Sequence, residues 1–109
     1  MKLSLKRRQK DLEAIISRIF SFEGKRREVV CNPVVSSVTL SRDGRECKVG
    51  FICLNFSSNV SEERKNAAVK IVSRVFPSLI INNRYFHSLS LFRVPRFIFF
   101  YNNASGSSF

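Results

Sequence analysis

Apolar and polar positions alternate most regularly from Val34 to Phe56, on both sides of Arg42-Asp43-Gly44-Arg45. Asp-Gly between two β-type runs predicts a hairpin, because a tight turn needs a positive φ and glycine supplies it without steric cost. Pairing the chain around the turn sets Leu40 against Cys47, Val38 against Val49, Ser36 against Phe51 and Val34 against Cys53. The other parity sets Ser41 against Glu46, Thr39 against Lys48, Ser37 against Gly50 and Val35 against Ile52. One face is then almost wholly apolar and the other polar near the turn, and a slip by one residue would mix them. A four-residue loop from Arg42 to Arg45 keeps the same pairing.

On either side of the hairpin the period changes from two to 3.6. Leu12, Ile15, Ile16, Ile19 and Phe20 predict an amphipathic helix from Arg7 to Phe22, with Gly24 as its stop. Asn32-Pro33 restricts the backbone leading into the first strand. Beyond the hairpin, Asn59 with Glu62 reads as a capping box, and Glu62 and Glu63 suit the positive end of a helix. Ala68, Ile71, Val72 and Val75 form the core stripe of that helix. Pro77 cannot continue it without losing a backbone hydrogen bond, but it can open a new helix. The pattern therefore predicts a break at Phe76-Pro77 and a third helix from about Ser78 to Leu89, with Ile81, Tyr85 and Leu89 on one face. Phe97 to Tyr101 is a final strand, with Phe97, Phe99 and Tyr101 on one face and Ile98 and Phe100 on the other. Apolar residues on both faces predict a covered or central strand.

A chain of 109 residues predicts one domain over residues 1–109, with residues 1–6 and 102–109 as flexible ends. The expected class is α+β, in the order helix, strand, strand, helix, helix, strand, with a three-stranded sheet packed on the helices. That is the order of the type II KH-like domain, an RNA-binding architecture. No run approaches the ~18–20 apolar residues of a membrane span, and the charged N-terminus has no apolar segment behind it. A cytoplasmic monomer is expected. Cys31, Cys47 and Cys53 are an odd number with no C-x-x-C spacing. Cys47 and Cys53 share a strand face but sit ~20 Å apart, too far for a disulfide. They read as small buried apolar residues.

Charge changes the picture more than composition does. The net charge is +11, and all eight acids lie at or before Glu63. Arg64, Lys65, Lys70, Arg74, Arg84, Arg93 and Arg96 follow with no acid among them. Such a field attracts polyanions. Nucleic acid is the first candidate and an anionic membrane surface the second; a merely solvated basic surface is the third. Catalysis has no apparatus: His87 is the single histidine and has no partner in sequence reach. There is no Walker A or G-x-G-x-x-G motif, and no spacing suits a metal. The expectation is a non-enzyme with no cofactor, no metal and no small-molecule substrate.

Val35-Ser36-Ser37-Val38-Thr39-Leu40-Ser41-Arg42-Asp43, followed by Cys47-Lys48-Val49-Gly50-Phe51, resembles the V-x-x-V-x-x-S-x-D…A-x-V-x-V signature of the ribosome-binding factor A family. Leu91 to Pro95, followed by Phe97-Ile98-Phe99-Phe100-Tyr101-Asn102-Asn103, resembles that family's L-R-x-x-P-x-L-x-F-x-x-D-x-S ending. The likeness runs from about Arg7 to Ser105. It implies a small bacterial or organellar assembly factor that binds the immature small ribosomal subunit, contacts its rRNA and aids processing of the rRNA 5′ end. In that family an A-x-G break joins the second and third helices; Pro77-Ser78-Leu79 stands at the matching positions. The family's Asp-Pro motif before the first strand has no match in register, and Asn102 stands where the family often has Asp.

The expected mode is shape- and phosphate-directed rRNA binding. A break at Pro77 would offer backbone N–H groups and the start of the third helix to the RNA backbone. Ser78, Asn82, Asn83 and Arg84 lie near it, Lys70 and Arg74 approach from the preceding helix, and Arg7, Arg8, Arg42 and Arg45 extend the basic track. This reading stands on the break and on arginines gathered rather than scattered. Three others compete. One is a general KH-like RNA-binding protein. Another is a protein-interaction module using the apolar outer end of the sheet (Val35, Ile52, Leu54, Phe56). The third is membrane attachment through the first helix, which lacks Trp and has only the apolar positions a core needs.

Overall fold

A computed structural model describes residues 5–25, 31–89 and 93–103. The elements are α1 (Leu5–Glu23), β1 (Pro33–Leu40), β2 (Glu46–Cys53), α2 (Glu62–Ile81), α3 (Arg84–His87) and β3 (Arg96–Tyr101). This is an α+β, type II KH-like arrangement. The sheet order is β1-β2-β3, with β2 antiparallel to β1 and parallel to β3. The parallel pair requires a crossover, and α2 and α3 supply it. The shortest dimension is 18 Å, room for one helical layer on one sheet. Of the ends expected to be flexible, residues 1–4 and 104–109 lie outside the described residues. Leu5 and Lys6 belong to α1, and Asn102 and Asn103 make hydrogen bonds to Phe51 and Lys65 respectively.

The helices cover one face of the sheet, α1 over β1 and α2 over β3. Leu12, Ile16, Ile19 and Phe20 of α1 meet Val38, Leu40, Cys47, Val49, Phe51 and Cys53 of the hairpin. From α2 come Ala68, Val72, Phe76 and Ile80, an i, i+4 series longer than the predicted stripe; Ile71 and Val75 flank it. Phe20 stacks on Phe76 at 4.2 Å between ring centroids and also faces Phe51 and Phe99. Each of these aromatics removes a large apolar area from water, so the Phe20 group closes the two layers on each other.

The hairpin keeps its predicted pairing only near the turn. Leu40↔Cys47, Thr39↔Lys48, Val38↔Val49 and Ser37↔Gly50 hold, but then Val35 pairs with Phe51, Val34 with Ile52 and Pro33 with Cys53. Ser36 is the extra residue of a β-bulge. The predicted register would have turned the Ser36 hydroxyl into the apolar face against Phe51, an uncompensated polar burial. The bulge turns Val35 inward instead and leaves Ser36 outside, where its Oγ accepts from Asn102 Nδ2 at 2.8 Å. Val34 moves to the outer face.

Pro77 does not break the chain. It lies inside α2, which continues to Ile81, although proline has no N–H for the carbonyl of Ser73. Burial of Phe76 and Ile80, each fully enclosed on either side of it, holds the helix through this defect. The interruption falls at Asn82-Asn83, where Asn82 closes α2 and Asn83 caps α3. The third helix is consequently one turn, not the predicted Ser78–Leu89, and Phe86 rather than Tyr85 is its buried residue. The cap of α2 also moves: Ser61, not Asn59, accepts from the Arg64 N–H at 3.2 Å. Finally, β2 is central and β3 is an edge. Phe97, Phe99 and Tyr101 face the core as expected, but Phe100 is 39% exposed on a sheet face that no described helix covers.

Asn32 departs from the extended backbone expected before a proline and sits at φ 52°. The right-handed helical region is disfavoured for a residue before proline, and asparagine tolerates the left-handed one. The carbonyls of Asn32 and Cys31 then accept from the N–H groups of Leu54 and Asn55.

Candidate nucleic-acid interface

Local chemistry shapes the hairpin tip. Gly44 adopts φ +74° and donates to the Ser41 carbonyl at 3.0 Å. Asp43 Oδ1 accepts from the Ser41 hydroxyl at 2.7 Å and from the Arg45 N–H at 3.0 Å. The Arg45 N–H, then the Ser41 hydroxyl, hold the Asp43 carboxyl below the usual carboxylate range. Its second oxygen lies 3.6 Å from Arg45 Nε. The carboxylate thus braces the turn and offsets Arg45, while Arg42 projects into solvent.

The ten residues named from the sequence fall into two groups. Gln9 Oε1 accepts from the Leu40 N–H at 2.9 Å, which sets the start of α1 beside the end of β1. Arg7 and Arg8 are therefore brought to the same pole of the molecule as Arg42 and Arg45. Arg96 joins them: its N–H donates to the Arg45 carbonyl at 2.7 Å, and its guanidinium pairs with Glu46 at 2.8 Å. Sequence reasoning missed Arg96 because its place depends on β3 running parallel beside β2; its position immediately before a β-type run was the available signal.

The second group lies on the crossover. Lys70, Arg74, Ser78 and Asn82 are all exposed and follow i, i+4, i+8, i+12 along α2, so they form one solvent-facing row about 6 Å apart. Ser78 Oγ donates to the Val75 carbonyl at 3.4 Å. Because α2 is continuous there, Ser78 does not open a helix, and the backbone N–H site expected at Pro77 is not formed. Asn83 is occupied as a cap, its Oδ1 accepting from the N–H groups of Tyr85 and Phe86. Arg84 follows, exposed, at the first position of α3.

Cations are engaged by the fold at both poles, Arg45 by Asp43 and Arg96 by Glu46 at the hairpin end. At the far end, Lys65 Nζ is 3.1 Å from Glu62 and donates to Asn103 Oδ1 at 2.8 Å, and Arg64 lies over the Phe56 ring at 4.9 Å. These cations are engaged by the fold. Phe56 stacks on Tyr101 and Val35 faces the core, so neither belongs to an outer apolar surface as the protein-interaction reading expected. Ile52 remains on that face and Leu54 stands exposed at its end.

A groove of about 480 Å³ separates α1 from α3. It is lined by Asp11, Ala14, Ile15, Arg18, Asn83, Tyr85, Ser88 and Leu89. Among the described residues no group of three or more His, Cys, Asp or Glu is placed to hold a metal. No helix of the described residues is long and apolar enough to cross a membrane.

A KH-like sheet with helices on one face, a cationic hairpin pole and a polar row on the crossover defines the class. No protein-family model and no curated protein matches the sequence. Among solved structures, the chain is similar to ribosome-binding factor A from Thermus thermophilus, with a TM-score of 0.63 and 20% identity, covering 89% of this chain and 94% of that one. At that identity the likeness is one of fold: the order of helices and strands agrees, including the two helices between β2 and β3.

Proposed function

We propose that this chain is an assembly and maturation factor of the small ribosomal subunit. It binds rRNA of the immature subunit, aids processing of the 5′ end, and acts as a cytoplasmic, single-domain monomer without catalysing a reaction. The observation that carries this reading is the gathering of Arg7, Arg8, Arg42 and Arg45 at one pole of a fold shared with a ribosome-binding factor. Guanidinium groups there meet phosphates as charge-assisted donors. The row Lys70, Arg74, Ser78 and Asn82, with Arg84 beyond it, offers the backbone a second line of contact. The unbroken α2 at Pro77 removes the helix break on which the sequence reading stood, so the proposal rests on the fold and on these side chains, not on backbone N–H groups at Pro77.

The test is filter binding of small-subunit rRNA across a salt series. Neutralising about six phosphates lowers affinity roughly 10³-fold between about 50 and 200 mM salt. A flat response removes the proposal. The open sheet face, with Val34 and Phe100 exposed on it, favours a second reading, docking to a ribosomal protein. Charge reversal at Arg74 and Arg84 separates the two, since it weakens only RNA-driven binding.

A further inference from the structure

Apart from Asn83, the groove between α1 and α3 is built from residues that the rRNA-binding reading does not use. Asp11, Ile15 and Arg18 follow i, i+4, i+7 on α1, along the flank of its core stripe. Opposite them stands Tyr85, whose ring is half exposed although it sits next to the buried Phe86. The Arg18 guanidinium lies over the Tyr85 ring, 5.9 Å from its centroid. Among the described residues neither Asp11 nor Arg18 has a salt-bridge partner. The groove thus offers a π-face, a planar cation, a carboxylate acceptor and the Ser88 hydroxyl, on an apolar floor of Ala14, Ile15 and Leu89.

That combination suits one kind of ligand. A phosphate finds Arg18 but also Asp11, which repels it. An apolar helix leaves a carboxylate and a guanidinium buried and unpaired. A planar, hydrogen-bonding heterocycle satisfies all of them: single-stranded RNA is read by stacking unpaired bases on aromatic rings and Arg planes and by bonding their edges. A carboxylate only accepts, so it selects a base edge that presents adjacent donors. Guanine does so with N1–H and the N2 amino group; uracil and adenine do not present two donors side by side.

We infer that the α1–α3 groove binds one unstacked guanine base of single-stranded RNA, stacked on Tyr85 and Arg18 and held at its donor edge by Asp11. This rests on the rRNA-binding reading and adds base selectivity to it. Asn83 links the two, because it follows Asn82, the last residue of the exposed row, and lines the groove.

The experiment is fluorescence anisotropy with labelled eight-nucleotide RNAs: oligo(U), and oligo(U) with one central G or one central A. The full chain is expected to bind the G-containing strand about tenfold more tightly than the other two, the scale of discrimination by one bidentate base-edge pair. Tyr85→Ala removes the difference, Tyr85→Phe restores it, and Asp11→Asn abolishes the preference for G over A. Thermal melts of each variant establish that it is folded. Equal affinity of the wild-type chain for all three strands overturns the inference, as does a G preference that survives Tyr85→Ala. Salt-dependent binding without base preference sinks only this inference, whereas no binding to any strand or to rRNA sinks the rRNA reading as well.

Discussion

Three thiols lie within the core and behave differently. Burial pushes the Cys47 thiol up to about 12. Cys31 and Cys53 are neighbours across the start of β1, and the Cys53 thiol donates to the Cys31 sulfur. That bond raises Cys53 and lowers Cys31. For Cys47 the folded state holds its proton above the pH at which the unfolded chain, near the ordinary thiol value, releases it. Its contribution is fully present below about pH 9 and is lost as pH rises toward 12. The alkaline fall in stability is therefore expected to be shallower in Cys47→Ala than in wild type, by up to about 1.4 kcal/mol per pH unit. Denaturant melts of both proteins between pH 8 and pH 11 measure it, and parallel curves would show that the thiol does not ionise on unfolding.

Elements were legible wherever a periodic stripe exceeded two turns or a turn signal was local. α1, the hairpin turn and β3 follow from their own residues. What failed was placement that depended on other elements. Pro77 has a strong local preference to end a helix, yet Phe76 and Ile80 are fully buried on either side of it, and their packing outweighs one missing hydrogen bond. Pro77→Ala is expected to raise stability, by an amount of about 1–3 kcal/mol given the usual cost of an interior proline. It should leave rRNA affinity unchanged, because the exposed row on α2 is the same with or without the ring. A thermal melt and a binding curve on one sample check both; a large loss of affinity would restore the proline to the interface. The bulge at Ser36 has the same origin. Its cause, the hydroxyl's exclusion from a face shared with Phe51, exists only once β2 and the helices close over that face.

Across the whole molecule, charge is partitioned by where the elements run. α1 starts and β1 ends at one pole, which brings Arg7, Arg8, Arg42, Arg45 and Arg96 together from three distant stretches. At the other pole Arg64 and Lys65 are drawn onto Phe56, Glu62 and Asn103. Charge reversal should therefore act by position, not by count. Arg42→Glu with Arg45→Glu is expected to lower rRNA affinity and reduce the salt slope by about 1.4–1.8, at roughly 0.7–0.9 per phosphate contact. Arg64→Glu should leave the slope almost unaltered. Equal losses in the two proteins would mean that net charge, not the pole, governs binding.

Of the ten candidate residues, the sequence could name types and neighbourhoods, since cations and amides are visible one by one. It could not assemble them. The groove escaped for the same reason: Asp11 and Arg18 look like ordinary polar positions beside a core stripe until α3 is laid against them. By itself, the amino-acid sequence determined the α+β order, the turn at Asp43-Gly44, the inward faces of α1 and β3 and the basic balance of the chain, because each depends on residues within a few positions of one another. Tertiary structure alone decided the bulge, the site of the helix interruption, the edge position of β3 and the meeting of Gln9 with Leu40. Each of those is set by contacts between residues more than fifteen positions apart, where tertiary contact outweighs local preference.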